Sequence, residues 1–457
     1  MSLTTLSIPQ LRNAFGDRVI APDDGRYDQA RTVFYGGFDR HPAAIIRPVD
    51  AAEVQRVVSL ARDTGLPLAV RSGGHSVAGH SVCDGGIVLD LSARRGLEID
   101  PERRVARAET GLTAAEYTTA TGEFGLGTGF GDTGSVGIGG ITLGGGVGFL
   151  ARKYGLTVDS VEAAEIVTAA GDLLRVDAQN HPELFWAIRG GGGNFGVVTS
   201  FTYRLHDVGT VVGGMLMLPA SAETIAGFVA EAEAAPEELS TIANVMPAPP
   251  MPFVPDELHG QLVILGQMCW AGPVEAGDKA FAPFRSLATP LADMLQPVPY
   301  PGMFPPDEEG YHPIAASHTM FVDSIDLPTA GTIVERLADS DAPMRVAQLR
   351  VLGGAVARVP ADATAYAHRA SRIMVNVAAL GETVEEAARR APWVTEFAAA
   401  LRHGDDGAYV GFLGDESRER VRAAYPGPTW QRLAAVKSAY DPTNLFRLNQ
   451  NVPPATR

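Results

Sequence analysis

Cysteine is nearly absent: the 457-residue chain carries only Cys83 and Cys269. Two thiols can build neither a disulfide framework nor a cysteine-ligated metal centre. No histidine–carboxylate cluster has ligand spacing either, so no metal site is expected. Long apolar runs are missing, and none approaches the roughly 20 residues that span a bilayer. The stretch Met1-Ser2-Leu3-Thr4-Thr5 lacks the basic and apolar regions of a secretory signal. A soluble, cytoplasmic protein without membrane contact is expected. Positive charge is in deficit, with 37 Lys and Arg against 53 Asp and Glu and a net charge of −16. Such a field repels polyphosphate, and no basic cluster offsets it, so nucleic-acid partners are not expected. The acidic surplus reads most simply as solvated surface. No P-loop string with a Gly-Lys-Ser/Thr ending occurs, which leaves nucleoside triphosphate hydrolysis without support.

What remains is ordinary globular material, 46% apolar and 20% charged, long enough for two or three domains' worth of core. Asp50 and Glu53 have capping-box spacing, and Val54, Val57, Val58 and Ala61 form one helical stripe that Gly65 ends. Pro67 to Val70 and Ile87 to Leu91 read as strands, and Thr113 with Glu116 opens another helix. Val161 to Thr168 and Leu173 to Val176 predict a hairpin around Ala170-Gly171-Asp172. A helix runs from Pro182 to Gly190, and the strand Val197 to Leu205 follows. Beyond Asp207 the texture changes. Residues 209–412 are proline-rich, with Pro247, Pro249, Pro250, Pro252 and Pro255 and a loop from Pro297 to Pro306. Strand-like runs (Leu262 to Leu265, Met344 to Leu352) and a helix from Thr383 to Leu401 predict a separate α+β domain. A final helix, Thr429 to Ala439, precedes Tyr440-Asp441-Pro442-Thr443-Asn444 and Asn449-Gln450-Asn451.

Glycine is the abundant residue, 51 in all, much of it in three short stretches. Gly191, Gly193 and Gly196 match the dinucleotide fingerprint as a string, but a helix precedes them and the β-branched Val197-Val198-Thr199 follows. The fingerprint requires a strand before and a helix after, so Rossmann-type binding is rejected. Arg71-Ser72-Gly73-Gly74-His75 is a different device. Two glycines after a strand let backbone N–H groups approach an anion without a Cβ in the way, although a lone Gly-Gly is usually just a turn. The glycines between Gly134 and Gly148 exceed what one turn requires, and they suggest backbone lying against a flat or extended ligand.

These residues together resemble the flavin-linked oxidases of the vanillyl-alcohol oxidase superfamily with a PCMH-type FAD-binding fold, in the berberine-bridge-enzyme-like branch. The likeness rests on Arg71 to Ser76, Gly137 to Gly148, Arg152-Lys153-Tyr154-Gly155-Leu156, Leu184 to Gly192, Asn194 to Val198, Tyr440 to Asn444 and Asn449 to Asn451. It is close over about residues 40–208 and 425–457 and loose between. The resemblance implies an α+β fold of three parts. These are an FAD-binding domain of two α/β subdomains (1–208), a substrate domain whose antiparallel sheet roofs the flavin (209–412), and a C-terminal return (413–457).

It further implies FAD held by Arg71, Ser72, Gly73, Gly74, His75 and Ser76, with a covalent bond from His75 to the flavin 8α-methyl. A neutral imidazole nitrogen is a competent nucleophile for that carbon. His75 alone would read as a loop histidine bonded to backbone; its place after the double glycine reverses that. Further implied cofactor contacts are Thr133, Gly134, Val136, Gly137, Gly139, Gly140, Thr142, Gly146, Phe149, Gly196, Val197, Val198, Asn449 and Asn451. Asn449 and Asn451 read alternatively as chain-end caps. Many members add a cysteinyl link at a position that falls on or next to Thr133; with no cysteine there, a single bond is expected. Cys83 reads as a small buried hydrophobe. Tyr409 falls where relatives carry a flavin-facing tyrosine, and it reads equally as a strand-end structural residue, because Gly411 stands where relatives have asparagine. His368 is the other catalytic candidate, Gln348 and Arg350 are substrate-side candidates with Tyr409, and His318 is weaker. The Trp186 to Arg189 stripe is core packing. The expected activity is oxidation of an alcohol or amine C–H bond of a small molecule (a sugar, secondary metabolite or cyclic amine). Hydride passes to flavin N5, and O2 is reduced to peroxide by a monomer or homodimer. The alternatives are a flavin dehydrogenase with another acceptor, or a flavin-binding protein without turnover.

Overall fold

The computed structural model describes residues 6–251, 254–306, 310–414 and 417–455; Met1–Thr5 and Pro252, both read above, lie outside them. Asp50 accepts the Glu53 N–H at 2.8 Å and opens the Ala51–Thr64 helix, which Gly65 closes in the left-handed conformation. The buried stripe Val54, Val57, Val58 and Ala61 packs on a four-stranded sheet. Its strand order is Val19–Ile20, Ala44–Ile46, Ile87–Asp90, Leu68–Arg71, the last three parallel. Ligands collect at the carboxyl ends of parallel strands, and the Leu68–Arg71 strand runs directly into the Ser72–Ser76 loop.

A five-stranded antiparallel sheet follows, in the order Leu97–Asp100, Val105–Glu109, Val197–Arg204, Val161–Val167, Leu173–Asp177. The expected hairpin is its edge, turned at Gly171 with φ +91°. The glycine-rich stretch departs from expectation. It is not extended throughout: Ile138–Gly144 forms a short helix behind Gly137. Tertiary contacts outweigh its poor helix propensity, with Thr142 Oγ1 bonded to the Ile138 carbonyl and to the Tyr203 hydroxyl.

The middle of the chain builds one large antiparallel sheet. Its order is Ala292–Asp293, Thr210–Pro219, Leu262–Trp270, Leu239–Pro247, Arg345–Val351, Ile373–Gly381, Ile314–Val322, with Gln296–Pro299 also paired to Thr210–Pro219. The helices Ala222–Ala234, Leu327–Ala338 and Val384–Leu401 cover one face in a continuous apolar core. On the opposite face lie two cross-strand rows, Asn244, Gln348, Asn376, Thr319 and Ile242, Arg350, Met374, Phe321. That face meets the N-terminal half. The architecture is the expected α+β class, two α/β pieces against an antiparallel sheet.

The C-terminus returns to the N-terminal half through the Pro428–Tyr440 helix. Lys437, fully buried, donates to the Asn194 and Phe446 carbonyls and to Asp441, whose carboxylate accepts the Leu445 and Phe446 N–H groups. This knot aims Phe446, Leu448, Asn449 and Gln450 at the central cavity. Among the described residues no helix is long and apolar enough to cross a membrane, and no group of three His, Cys, Asp or Glu could hold a metal ion.

Candidate active site

A cavity of about 330 Å³ runs where the two small sheets, the large sheet and the C-terminal return meet. Its floor is made by two glycine loops in direct contact. A Cβ on Gly73 would lie 2.2 Å from the Gly137 nitrogen, and one on Gly137 would lie 2.1 Å from the Gly73 nitrogen. Only glycine allows that approach. Ser72 ties the same loops together: its Oγ donates to the Thr110 carbonyl at 2.5 Å and accepts the Gly139 N–H at 3.3 Å. Gly140 differs: it lines the cavity, and a Cβ there would meet nothing within 4 Å.

His75 lines the cavity with its ring stacked on Phe34, centroids 4.0 Å apart. Its Nε2 lies 2.9 Å from Ser135 Oγ. Tyr409 reaches the same cavity from the C-terminal side, and its hydroxyl accepts the Gly146 N–H at 3.1 Å. Burial pushes the Tyr409 phenol up, while the Gly146 N–H, the Arg350 charge and the Val147 N–H pull it down. Arg350 spans the two halves. Its guanidinium donates to Asp132 at 2.7 Å and to the Val147 carbonyl, with Nε on Gln348 Oε1 at 2.9 Å. Gln348 in turn donates to Asn244 Oδ1 at 2.8 Å. Asp132 lines the cavity beside Tyr35, whose phenol is pushed up to about 12, by burial first and the Asp132 charge second.

The structure brings Ser72, Gly73, Gly74, His75, Ser76, Thr133, Val136, Gly137, Gly139, Gly140, Gly196, Val198, Asn449 and Tyr409 to the cavity wall. It turns others away. Arg71 points beneath the loop, bracing the Ala30 and Ser81 carbonyls. Thr142 is held by Tyr203, and Val197 faces the core under the Ala51–Thr64 helix. Gly134 backs onto Ala115 and Phe304, and Gly146 backs onto Thr157. Phe149 packs edge-on against Phe304. Asn451 is outside the lining, its Oδ1 buried without a partner among the described residues. His368 is also outside, with Nε2 on the Ala424 carbonyl and its ring stacked on Phe321; burial lowers its pKa. His318 pairs with Val377 on the helix-covered face, opposite to Gln348 and Arg350. Neither Gln348 nor Arg350 lines the cavity: Arg350 reaches it only through Asp132, and Gln348 stands behind Arg350. Cys83 is buried, its thiol on the Ile87 carbonyl.

Phe34, Tyr35 and Ser135 carry no motif of their own, and sequence reasoning gave none of them a role. Asp132 had one signal: it is the sole charged residue between Gly125 and Gly148.

The residues present fit FAD. The floor is backbone stripped of Cβ atoms, Leu68, Val70 and Leu91 give apolar wall, and Asn449 presents a cavity-lining amide whose buried Oδ1 lacks a partner among the described residues. Family comparison agrees. An FAD binding domain model matches residues 42–177, and a berberine and berberine-like model matches residues 408–453. The (R)-6-hydroxynicotine oxidase of Paenarthrobacter nicotinovorans is 30% identical over 95% of this chain and 96% of its own. An uncharacterized FAD-linked oxidoreductase of Bacillus subtilis, YgaK, is 29% identical over 96% and 97%. The crystal structure of 6-hydroxy-D-nicotine oxidase from Arthrobacter nicotinovorans superposes with a TM-score of 0.84 at 27% identity, covering 96% of this chain and 98% of that one. Xylooligosaccharide oxidase from Myceliophthora thermophila C1 shares the fold, with a TM-score of 0.84 at 23% identity over 99% and 100%. With a relative matched end to end and both family models placed on the cavity-forming segments, the chain belongs to the berberine-bridge-like family of FAD-linked oxidoreductases.

Proposed function

We propose that this enzyme is an oxidase that takes hydride from the C–H bond beside a hydroxyl or amine of a small molecule, with dioxygen as acceptor and hydrogen peroxide as product. Residues 1–208 would bind FAD, 209–412 the substrate, and 413–457 would close the FAD site. Bound FAD supplies the two-electron acceptor for the substrate C–H bond. The Ser72–Ser76 loop, Gly137, Gly139, Gly140 and Asn449 would hold it, and His75 would bind it covalently, with no second link at Thr133. The observation that carries this reading is the meeting of His75 and Tyr409 in one cavity lining from opposite ends of the chain.

Tyr409 receives the proton of the substrate's O–H or N–H group at its phenolic oxygen. The Gly146 N–H and the Arg350 charge favour the form that accepts it. Arg350, backed by Gln348, holds Asp132 in place at the cavity wall, and the apolar wall excludes water. The relative that acts on 6-hydroxynicotine favours a cyclic amine as the first substrate class to try.

An oxygen electrode tests the reaction on the holoenzyme with cyclic amines, aromatic alcohols and sugars. Oxygen uptake matched by peroxide is expected; turnover only with an added dye acceptor would make it a dehydrogenase. Acid precipitation tests the bond. Yellow fluorescence should stay in the wild-type pellet and move to the supernatant in His75→Ala, and free flavin from the wild type would refute the linkage.

A further inference from the structure

His75 is held on two sides by groups that belong to different parts of the fold. Phe34 stacks on its ring at 4.0 Å with an interplanar angle of 20°, which fixes the plane of the imidazole. Ser135 lies 2.9 Å from Nε2, which fixes its rotation within that plane. Ser135 stands on the Asp132–Val136 loop, two residues past Thr133 and two before Gly137. That loop is itself wedged against the Ser72–Gly74 backbone: a Cβ on Gly73 would lie 3.1 Å from the Ser135 carbonyl. The Ser135 backbone therefore lies directly against the loop that carries His75.

We propose that Ser135 is the positioning residue for attachment of FAD to His75, holding the imidazole by Nε2 while the bond forms at Nδ1. This rests on the covalent reading of His75 given above. In the attachment a C–N bond forms as the 8α-methyl carbon loses one hydrogen and the imidazole loses its N–H proton. The two electrons released pass to the flavin ring and on to dioxygen, giving hydrogen peroxide. An attacking Nδ1 needs its lone pair, so the ring proton must sit on Nε2 and be donated to Ser135 Oγ. Once Nδ1 is alkylated, that proton leaves to solvent, and Nε2 becomes an acceptor. A serine hydroxyl serves both states, because it accepts in the first and donates in the second by rotation about one bond. A methyl group serves neither.

The test is the rate of covalent incorporation. Apoprotein from riboflavin-starved cells is mixed with FAD in air, and fluorescence of the denatured protein band is followed in time. A lost, well-placed hydrogen bond is worth about tenfold or more in this rate. Ser135→Ala should therefore attach FAD at least about tenfold more slowly, with its non-covalent FAD affinity within about threefold of wild type. Ser135→Thr, which keeps the hydroxyl, should restore the rate. Wild-type kinetics in Ser135→Ala, or loss of non-covalent FAD binding in that variant, would overturn the proposal. A slow Ser135→Thr that binds FAD normally would also overturn it, since the hydroxyl would then not be the operative group. Wild-type protein that never retains fluorescence after denaturation would instead sink the covalent reading, and Ser135 with it.

Discussion

At the scale of single residues, Tyr409 is the group whose chemistry is most exposed to test. Its phenol is buried and held above the ordinary tyrosine value of 10, so at neutral pH the hydroxyl keeps its proton. A residue that must accept a proton is then in the wrong form most of the time, and the competent fraction grows as pH rises. Flavin reduction by substrate, measured anaerobically, should rise towards about tenfold per pH unit between about pH 7 and 9. Tyr409→Phe should cut the rate by ~10²-fold or more and flatten that slope. An unchanged rate with an unchanged slope would make Tyr409 a packing residue against Tyr366 and Phe412, both of which it meets edge-on. His75 could be picked out because it follows the Arg71-Ser72-Gly73-Gly74 run, and Tyr409 only through the family resemblance. Asp132 and Ser135 could not, because nothing in their neighbours' identities says that Arg350 or His75 will stand beside them.

At the scale of elements, the glycine loops make two distinct demands that a substitution can separate. Gly137 has φ −69°, a value any residue adopts, so its need for glycine is purely one of space. Gly137→Ala drives a methyl into the Gly73 nitrogen and the Ser72 hydroxyl, and the apoprotein should lose about 1–3 kcal/mol or more in urea unfolding. Gly140 sits inside the Ile138–Gly144 helix with open space ahead of it. Gly140→Ala should leave apoprotein stability unchanged or raise it by up to about 1 kcal/mol, while weakening FAD binding. Equal effects on stability would show that the two glycines do the same job. The capped helix at Asp50, the hairpin at Gly171 and the strand before Ser72 were legible because each is decided by near neighbours. The Ile138–Gly144 helix was not, since three of its seven residues are glycine and its stability comes from Tyr203 on a distant strand.

At the scale of the whole molecule, the cavity exists only because the two halves are pinned in one relative position. Two charge pairs contribute to this, beside the Arg152 bonds to the Ala232 and Ala235 carbonyls and the Lys153 bond to the Ala271 carbonyl, and both pairs join residues too far apart in sequence for any local pattern to reveal. Arg350 meets the cavity-lining Asp132 across 218 residues, and Arg369 meets Asp159 across 210, away from the lining. The second pair is the more structural. The two terminal guanidinium nitrogens of Arg369 donate to the Asp159 carboxylate at 2.7 Å, and the side chains are 3% and 10% exposed. Asp159 also accepts the Leu156 N–H, and Arg369 also bonds Thr364 and the Tyr366 carbonyl, so neither partner can turn to water. A buried ion pair adds little over an apolar pair of the same shape, but removing one charge strands the other. Asp159→Asn should therefore cost about 3–5 kcal/mol in urea unfolding, with Arg369 left charged and buried. The double variant Asp159→Asn/Arg369→Met, which removes the stranded charge, should recover part of that loss. If Asp159→Asn unfolds within about 0.5 kcal/mol of wild type, the stranded-charge account is wrong. Backbone and packing contacts such as the Trp186 indole on the Asp362 carbonyl would then be what holds the halves together.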